Sequence, residues 1–229
     1  MKKAAFWPSF FIFVVKITMK KGFVLVALFV LPLVAYLFFA SGVNQFGKLP
    51  VLTEEIQEIQ LIDSEQQLAD RITILGFLGE NPEQMKGNLF NLNQKIYKRF
   101  YEFNDFQMLM VMPEGTEALA ESLKAEVGEL SDPVAWHFAF ASREEIKAFY
   151  ASLKSPIPLE EDLSTPFVYI IDKKRNLRGR NDDEDQGTKY GFDTRSVADL
   201  NNKMEDDVKV ILAEYRLALK KNNEYLVEQ

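Results

Sequence analysis

The clearest structural pattern in the chain is Phe167-Val168-Tyr169-Ile170-Ile171-Asp172-Lys173-Lys174-Arg175-Asn176-Leu177-Arg178-Gly179. An apolar, β-branched run begins at Pro166 and ends at Asp172, which is typical of a buried strand. The four polar residues that follow form a turn, and a second apolar position at Leu177 resumes the extended pattern. The sequence therefore predicts a β-hairpin over 166–180.

Three more strands are predicted upstream of this hairpin, at 72–78, 106–112 and 135–140, each a short apolar run bounded by polar or glycine residues. Amphipathic helices separate them. The first carries apolar residues at helical spacing, namely Met85, Leu89, Leu92, Ile96 and Phe100. The second begins at Thr116 and is expected to end near Gly128. The third begins at Ser142, where Ser142 and Glu145 have the spacing of a capping box, and extends to about Leu153.

A long closing helix follows the hairpin, with one apolar face formed by Val197, Leu200, Met204, Val208, Ile211 and Tyr215. A weakly alternating segment at 55–62 is interpreted as a first strand. Helices between strands favour parallel pairing with right-handed crossovers, and the hairpin adds antiparallel strands. The fold class predicted is α/β, with a mixed sheet flanked by helices.

The N-terminal region has the pattern of a membrane anchor. Residues 1–48 hold six lysines and no acidic residue, so the total charge of -7 leaves -13 for residues 49–229. Residues 22–41 are uncharged and long enough to cross a bilayer as a helix. Because lysines precede the span, we predict a cytoplasmic N-terminus and a periplasmic domain. The predicted segments are 1–21 (cytoplasmic), 22–42 (anchor), 43–54 (linker), 55–221 (domain) and 222–229 (tail).

Two alternatives concern the same region. A cleaved signal peptide would use Ala40-Ser41-Gly42 for processing, although its apolar core would be longer than usual. Residues 1–18 could also be an upstream extension, since Met19-Lys20-Lys21 resembles a fresh N-terminus. N-terminal sequencing of the native protein distinguishes these.

Composition excludes several chemistries. The 229 residues contain no cysteine and one histidine. Disulfides, thiolate metal sites, cysteine nucleophiles and multi-histidine sites are therefore ruled out. No phosphate-binding glycine motif is present, and the acidic domain disfavours nucleic acid. We predict no cofactor.

The element order and three motifs resemble the thioredoxin superfamily, and within it the Sco/SenC branch of membrane-anchored copper proteins. The motifs are the strand Ile72–Gly79, the Trp136-His137-Phe138-Ala139 segment, and the hairpin quoted above. The resemblance covers residues 50–220 and implies a thioredoxin-like fold. It also implies a link to respiratory oxidase assembly.

The chain departs from that family at the ligands. The family's C-x-x-x-C motif corresponds to Asn81 and Met85, with Pro82 matching the proline after the first cysteine, and its histidine falls near Ser164-Thr165-Pro166. Copper(I) favours thiolate and thioether ligands, which a single methionine cannot supply competitively. Thiol–disulfide exchange needs a thiolate. The resemblance therefore implies the scaffold without its chemistry.

By the same resemblance we predict a cis bond at Thr165–Pro166 and a persisting peptide groove beside it. The candidate interaction face is Gly79, Glu80, Asn81, Pro82, Met85, Thr165 and Pro166. The expected function is a non-catalytic protein-interaction module, held in the membrane by its N-terminal helix, with a protein partner in the exported compartment. Catalytic and metal sites are expected to be absent.

The alternative function is metal binding or electron transfer through non-cysteine ligands. Its candidates are Met85, the alternating Met108, Met110 and Met112, the lone His137, and the acidic run 180–187. Each also has an ordinary structural interpretation: core packing for the methionines, a structural or exposed histidine, and a solvated mobile loop for the acidic run.

Overall fold

The computed structural model describes residues 21–40, 48–58 and 67–227, and side chains within 26–36, 48–58 and 67–218. The chain divides into two units between Gln45 and Phe46. In the N-terminal unit, Lys21–Ala40 forms helix α1, with Pro32 inside it. Among the described residues, no helix was found that is both long and apolar enough to cross a membrane. The anchor predicted at 22–42 extends outside the described residues and stays a prediction.

The C-terminal unit, which we call the domain, is built on a seven-stranded mixed sheet in the order β1-β6-β5-β2-β3-β4, with β9 paired to β5. The strands are β1 (Val51–Thr53), β2 (Ile72–Leu78), β3 (Phe106–Pro113), β4 (Trp136–Ala141), β5 (Ser164–Ile171), β6 (Leu177–Arg178) and β9 (Phe192–Asp193). Strands β7 (Arg180–Asp183) and β8 (Gly187–Lys189) form a separate two-stranded ribbon. Strands β2, β3 and β4 are parallel, and β5 is antiparallel to β2. The predicted mixed sheet is confirmed.

Helices cover both faces of the sheet. Helix α2 spans residues 82–100 as successive 3₁₀ (Pro82–Met85), α (Lys86–Leu92), π (Asn93–Tyr97) and α (Lys98–Phe100) turns. Helices α3 (Glu117–Leu130) and α4 (Arg143–Ser152) follow. The closing helix α5 comprises Val197–Asp199, a π segment at Leu200–Met204, and Glu205–Val227. One core cluster lies under α2, α3 and α5, and a second lies under α4.

Local signals explain why these elements form where the sequence predicted them. Strands β2 and β3 are buried along their full lengths, as their uninterrupted apolar runs require. Helix α4 has the predicted capping box, since the Ser142 side chain accepts from the Glu145 amide and Glu145 bonds back to Ser142. The turn before β6 is held by Asp172, whose carboxylate accepts the amides of Lys174 and Asn176 at 2.8 and 2.9 Å.

Two elements lie partly or wholly outside the predicted domain segment 55–221. The first strand lies at Val51–Thr53, inside the predicted linker 43–54, where it pairs with β6. Residues 56–58 are not extended strand, and 59–62 lie outside the described residues. Strand β1 is three residues long and finds its partner about 125 residues later, so no local pattern marks it. At the other end, α5 continues to Val227, into the predicted tail 222–229.

The hairpin region is fastened to α5 by buried ion pairs, which we call the hairpin anchor. Arg178 is 4% exposed and bonds Asp172 and Glu214. Arg180 makes a forked contact with Asp207 at 2.8 Å. The remaining pairs of the anchor are Lys203 with Asp183, and Lys189 with Asp199. Because one member of each pair is buried, that charge depends on its partner for stability.

Candidate functional site

The candidate site lies at the edge of the sheet where the parallel strands end. The chain leaves β2 at Gly79, and Thr165 on the neighbouring strand pairs with Phe77. We call the seven predicted residues Gly79, Glu80, Asn81, Pro82, Met85, Thr165 and Pro166 the loop face. The structure brings the two segments together, since the Glu80 amide donates to the Asp162 carbonyl at 2.9 Å. Glu80 and Asn81 are exposed, Met85 and Pro166 are half-buried, and the other three are buried.

Gly79 fixes the base of the loop. Its φ of +69° is in the left-handed region that favours glycine. A Cβ there would lie 2.6 Å from the Asp162 carbonyl oxygen and 2.8 Å from the Ser164 Cβ. The segment Asp162–Ser164 therefore contacts the loop closely, and there is no room for a side chain at position 79.

Asn81 and Met85 stand where the resemblance places the family's two cysteines. Asn81 precedes the first turn of α2, its carbonyl accepts the Gln84 amide at 3.2 Å, and its side chain makes no capping hydrogen bond. Pro82 occupies the first helical position, where the absent amide hydrogen costs nothing. Met85 packs against the core, and the side-chain amide of Asn88 donates to the Met85 sulfur at 3.6 Å. The two positions matched to the family's cysteines thus hold a neutral amide and a thioether, neither of which can act as a thiolate.

A small cleft lies beneath this turn, lined by Gly76, Met85, Leu89, Met110 and Thr165 among others. Its volume of about 10 Å³ is at the lower limit for one water molecule. Gly76 makes room for Met110, since a Cβ there would lie 2.7 Å from the Met110 sulfur. The cleft is filled by the protein's own side chains, so the loop face presents a surface and not a ligand pocket.

The predicted cis bond at Thr165–Pro166 is wrong, because this peptide bond is trans. Trans is the ordinary state of an X–Pro bond, and here it continues β5 in extended form. The Pro166 carbonyl accepts both the amide and the hydroxyl of Thr194, at 2.9 and 2.6 Å. Strand β9 pairs with the next two residues of β5. The backbone of β5 from Pro166 to Val168 is therefore paired with residues 192–194 of the same chain, and the predicted peptide groove stays a prediction.

Charged residues that the sequence analysis did not select surround the exposed part of the loop. Arg143, at the start of α4, forms an ion pair with Glu80 and donates to the Glu161 carbonyl at 2.8 Å. Acidic side chains outnumber basic ones around the loop: Glu80, Glu83, Glu160, Glu161 and Asp162 stand against Arg143 and Lys86. Residues 160–162 follow the loop by about 80 residues in the sequence, so only the tertiary structure brings these two segments together.

The other candidate residues are distributed across the domain. Met108, Met110 and Met112 are fully buried in the core under α2 and α5. His137 and Trp136 lie on opposite faces of β4, as predicted. Trp136 belongs to the core under α2, α3 and α5, whereas His137 is paired with Leu109, which belongs to the core under α4. Burial, with the positive charges of Lys124 and Arg71, lowers the pKa of His137 below its usual 6.5. These residues do not converge on a common site.

The acidic run 180–187 is not the free loop that was the default interpretation. It forms the β7–β8 ribbon, and Asp183 is buried. Lys203 contacts Asp183 and Asp185 at 2.7 and 2.6 Å. Burial would raise the pKa of Asp183, but the bonds from Lys203 and from the amides of Asp185 and Gln186 outweigh it and lower that pKa. Within the part of the chain that is described, no group of three or more metal-ligating side chains of His, Cys, Asp or Glu is assembled.

The mixed sheet with flanking helices is the α/β fold class that the sequence predicted. No protein-family model matches the chain, and no curated protein matches it. Solved structures with a similar fold include a SCO1/SenC family lipoprotein from Bacillus anthracis, with 18% identity, 70% of this chain and 96% of that chain covered, and a TM-score of 0.47. A thiol:disulfide interchange protein from Bacteroides is 14% identical, the match covers 69% of this chain and 91% of that chain, and the TM-score is 0.45. The soluble domain of Sco1 from Bacillus subtilis is 15% identical, the match covers 72% of this chain and 97% of that chain, and the TM-score is 0.43. These likenesses concern the fold alone.

Proposed function

We propose that this protein is a membrane-anchored, redox-inactive thioredoxin-like module that binds another protein in the exported compartment. The binding would take place during assembly of a respiratory oxidase or another envelope complex. The observation that carries the proposal is the loop face. It keeps the position at the carboxyl edge of the parallel strands, but it exposes a neutral amide and carboxylates where thiol chemistry would need cysteine.

The absence of cysteine from the whole sequence supports the redox-inactive part of the proposal. Disulfide exchange proceeds by thiolate attack on a disulfide sulfur, so this chain cannot perform it alone. The cleft beneath the loop is too small for a substrate, which favours recognition through the surface. These two facts favour binding over thiol–disulfide exchange at the loop face.

The charge of the loop face sets the kind of partner. Glu80 and Glu83 have side chains about half exposed, at 51% and 50%. Such a surface attracts and orients a basic partner and repels an acidic one. We therefore expect the partner surface to be neutral or basic, and we expect complex formation to weaken as salt is added.

The anchoring part of the proposal is supported by α1. Its described side chains from Val26 to Tyr36 are nearly all apolar, and the large ones are exposed, for example Leu28 at 66% and Phe29 at 67%. Apolar surface of this kind is unfavourable in water and favourable in lipid. Lysines at the N-terminal side favour a cytoplasmic N-terminus and a periplasmic domain.

The interaction can be tested by site-specific photo-crosslinking in native membranes. A photoreactive residue at Asn81 should yield a discrete adduct, whereas one at the equally exposed Asn181, on the β7–β8 ribbon, should not. Glu80→Lys and Glu83→Lys together should abolish the adduct at Asn81. Equal adducts at both positions, or an adduct that survives the charge reversal, would exclude this face.

The topology can be tested with the same chain, because any introduced cysteine is unique. In intact cells with a permeable outer membrane, Glu184→Cys should react with an impermeant maleimide. A cysteine at Ser9 should react only after the inner membrane is opened. The reverse pattern would contradict the proposed orientation.

A further inference from the structure

Among the strands that the structure describes, β4 ends the sheet, and no described strand pairs with its outer edge. Its ladder with β3 uses the backbone groups of alternate residues, as the bonds from the Met108 amide to the Ala135 carbonyl and from the Glu114 amide to the Ala141 carbonyl show. In a regular ladder the groups of the residues between therefore point outward. The Trp136 amide turns back to the Pro133 carbonyl at 3.0 Å. This leaves the amides and carbonyls of Phe138 and Phe140 on the outer edge.

This edge lacks the usual protection. Proteins prevent edge-to-edge pairing with charged residues, prolines, bulges or very short strands. Strand β4 is Trp-His-Phe-Ala-Phe-Ala, six residues in unbroken register with β3 and without charge at neutral pH. The opposite edge of the sheet differs, since β1 is only three residues long and has a register shift. Among the described strands of the sheet, β4 presents the longer edge.

We propose that β4 pairs antiparallel with β4 of a second copy of this chain, about a two-fold axis at Ala139. In that register Phe138 lies opposite Phe140 of the second copy, and each such pair exchanges two N–H···O bonds. The two pairs together use the amides and carbonyls of Phe138 and Phe140 in each strand. The inference does not depend on the proposed function, because β4 is separate from the loop face.

A second copy suits this edge better than an unrelated peptide for two reasons. Two identical domains share the acidic charge of residues 49–229, so their repulsion opposes contact least along a segment that is itself uncharged, as β4 is. The two-fold axis also pairs Phe138 with Phe140 twice. Both rings are half-buried, and aromatic cross-strand pairs stabilise antiparallel sheets. No like charges face each other in this register.

The register predicts which cysteine can form a disulfide between copies. The Cα atoms of the two Ala139 residues would be about 4.5 Å apart as a non-hydrogen-bonded pair, within the reach of a disulfide. Those of the two Ala141 residues would be offset by four residues, about 13 Å, which is too far. Both alanines are buried on the same face of β4, at 2% and 1% exposure, so the second is a matched control. The wild-type chain has no cysteine to interfere.

The experiment uses the full chain in mild detergent, under gentle oxidation and non-reducing electrophoresis. We expect Ala139→Cys to form a covalent dimer and Ala141→Cys to remain monomeric. Covalent dimer from both variants would indicate random collision, and dimer from neither would show that the strands do not meet; either result overturns the inference.

The mass of the protein–detergent complex gives a second, cysteine-free measurement. Phe138→Lys should convert the dimer to monomer, or raise its dissociation constant at least tenfold. Val51→Lys, which adds the same charge to the opposite edge of the sheet, should leave it unchanged. A dimer that survives Phe138→Lys, such as one held only through α1, would contradict the inference, as would a wild-type chain that is monomeric at every concentration. His137→Lys replaces Phe138→Lys if that variant does not fold.

Discussion

The loop face and the hairpin anchor both rely on charged side chains, but they hold them in different surroundings. At the loop face, Glu80 and Arg143 form one ion pair with side chains 51% and 41% exposed. At the hairpin anchor, Arg178 is 4% exposed and bonds Asp172, Glu214 and the Leu49 carbonyl. Exposed pairs contribute little to stability, whereas a buried charge is costly once its partner is lost. We therefore expect substitutions at the hairpin anchor to destabilise the fold, and charge substitutions at the loop face to alter its surface with little loss of stability.

The largest effect is expected from Arg178→Ala. The substitution leaves the Asp172 and Glu214 carboxylates without their shared partner, and the Asp172 side chain is 1% exposed. Loss of one member of a buried pair typically lowers the free energy of unfolding by about 3–5 kcal/mol. Urea titration followed by circular dichroism measures it. Arg195→Ala is the control and should cost about 1 kcal/mol or less, because the Arg195 side chain is 61% exposed and its partner Asp193 keeps contact with water. Equal losses from the two variants would remove the distinction drawn here.

The next effect concerns Gly79, which lies at the base of the loop face. Gly79 and Gly187 both have φ of +69°, but only Gly79 has neighbours within 4 Å of the added Cβ. Gly187→Ala should therefore cost only the backbone strain, about 1–2 kcal/mol. Gly79→Ala should lower the free energy of unfolding by more, because the segment at Asp162 must also move. If the two variants are equally stable, the contact between loop and segment is looser than the structure indicates.

A smaller, pH-dependent effect is expected from His137, the single histidine. Its pKa is lower in the folded protein than its usual 6.5, because burial disfavours the charged form. As the pH falls below 6.5 the unfolded chain takes up a proton first, so the folded state loses stability until the folded pKa is reached. The free energy of unfolding should thus fall between pH 7.5 and 5.5 more steeply for wild type than for His137→Gln. Parallel profiles would show that His137 is not the group responsible.

The smallest effect on stability is expected from Arg143→Ala. Its pair with Glu80 is exposed, so the free energy of unfolding should fall by about 1 kcal/mol or less. Photo-crosslinking at Asn81 should nevertheless change, because the substitution leaves the carboxylate of Glu80 free and makes the surface more acidic. A large loss of stability without any change in crosslinking would assign Arg143 to the fold and not to the surface.

Much of the fold could be predicted because its signals are local. The apolar runs of β2 and β3, the capping box at Ser142 and the turn held by Asp172 each lie within a few adjacent residues. The missed features depend on distant segments. Strand β1 exists only because β6 is beside it, and the charged residues around the loop come from α4 and from residues 160–162. The cis form of the Thr165–Pro166 bond was expected only from the resemblance to a family. The bond is trans, and β5 continues through it to pair with β9.

The alternation of strands and helices and the absence of any thiol follow from the residues alone. How the charged and polar groups are used depends on the tertiary fold. Asp183 is buried in an ion pair with Lys203, although the acidic run alone indicated a solvated loop, and the Pro166 carbonyl accepts hydrogen bonds from Thr194. Burial and pairing depend on which distant segments meet, because a buried charge is costly unless another segment supplies its partner.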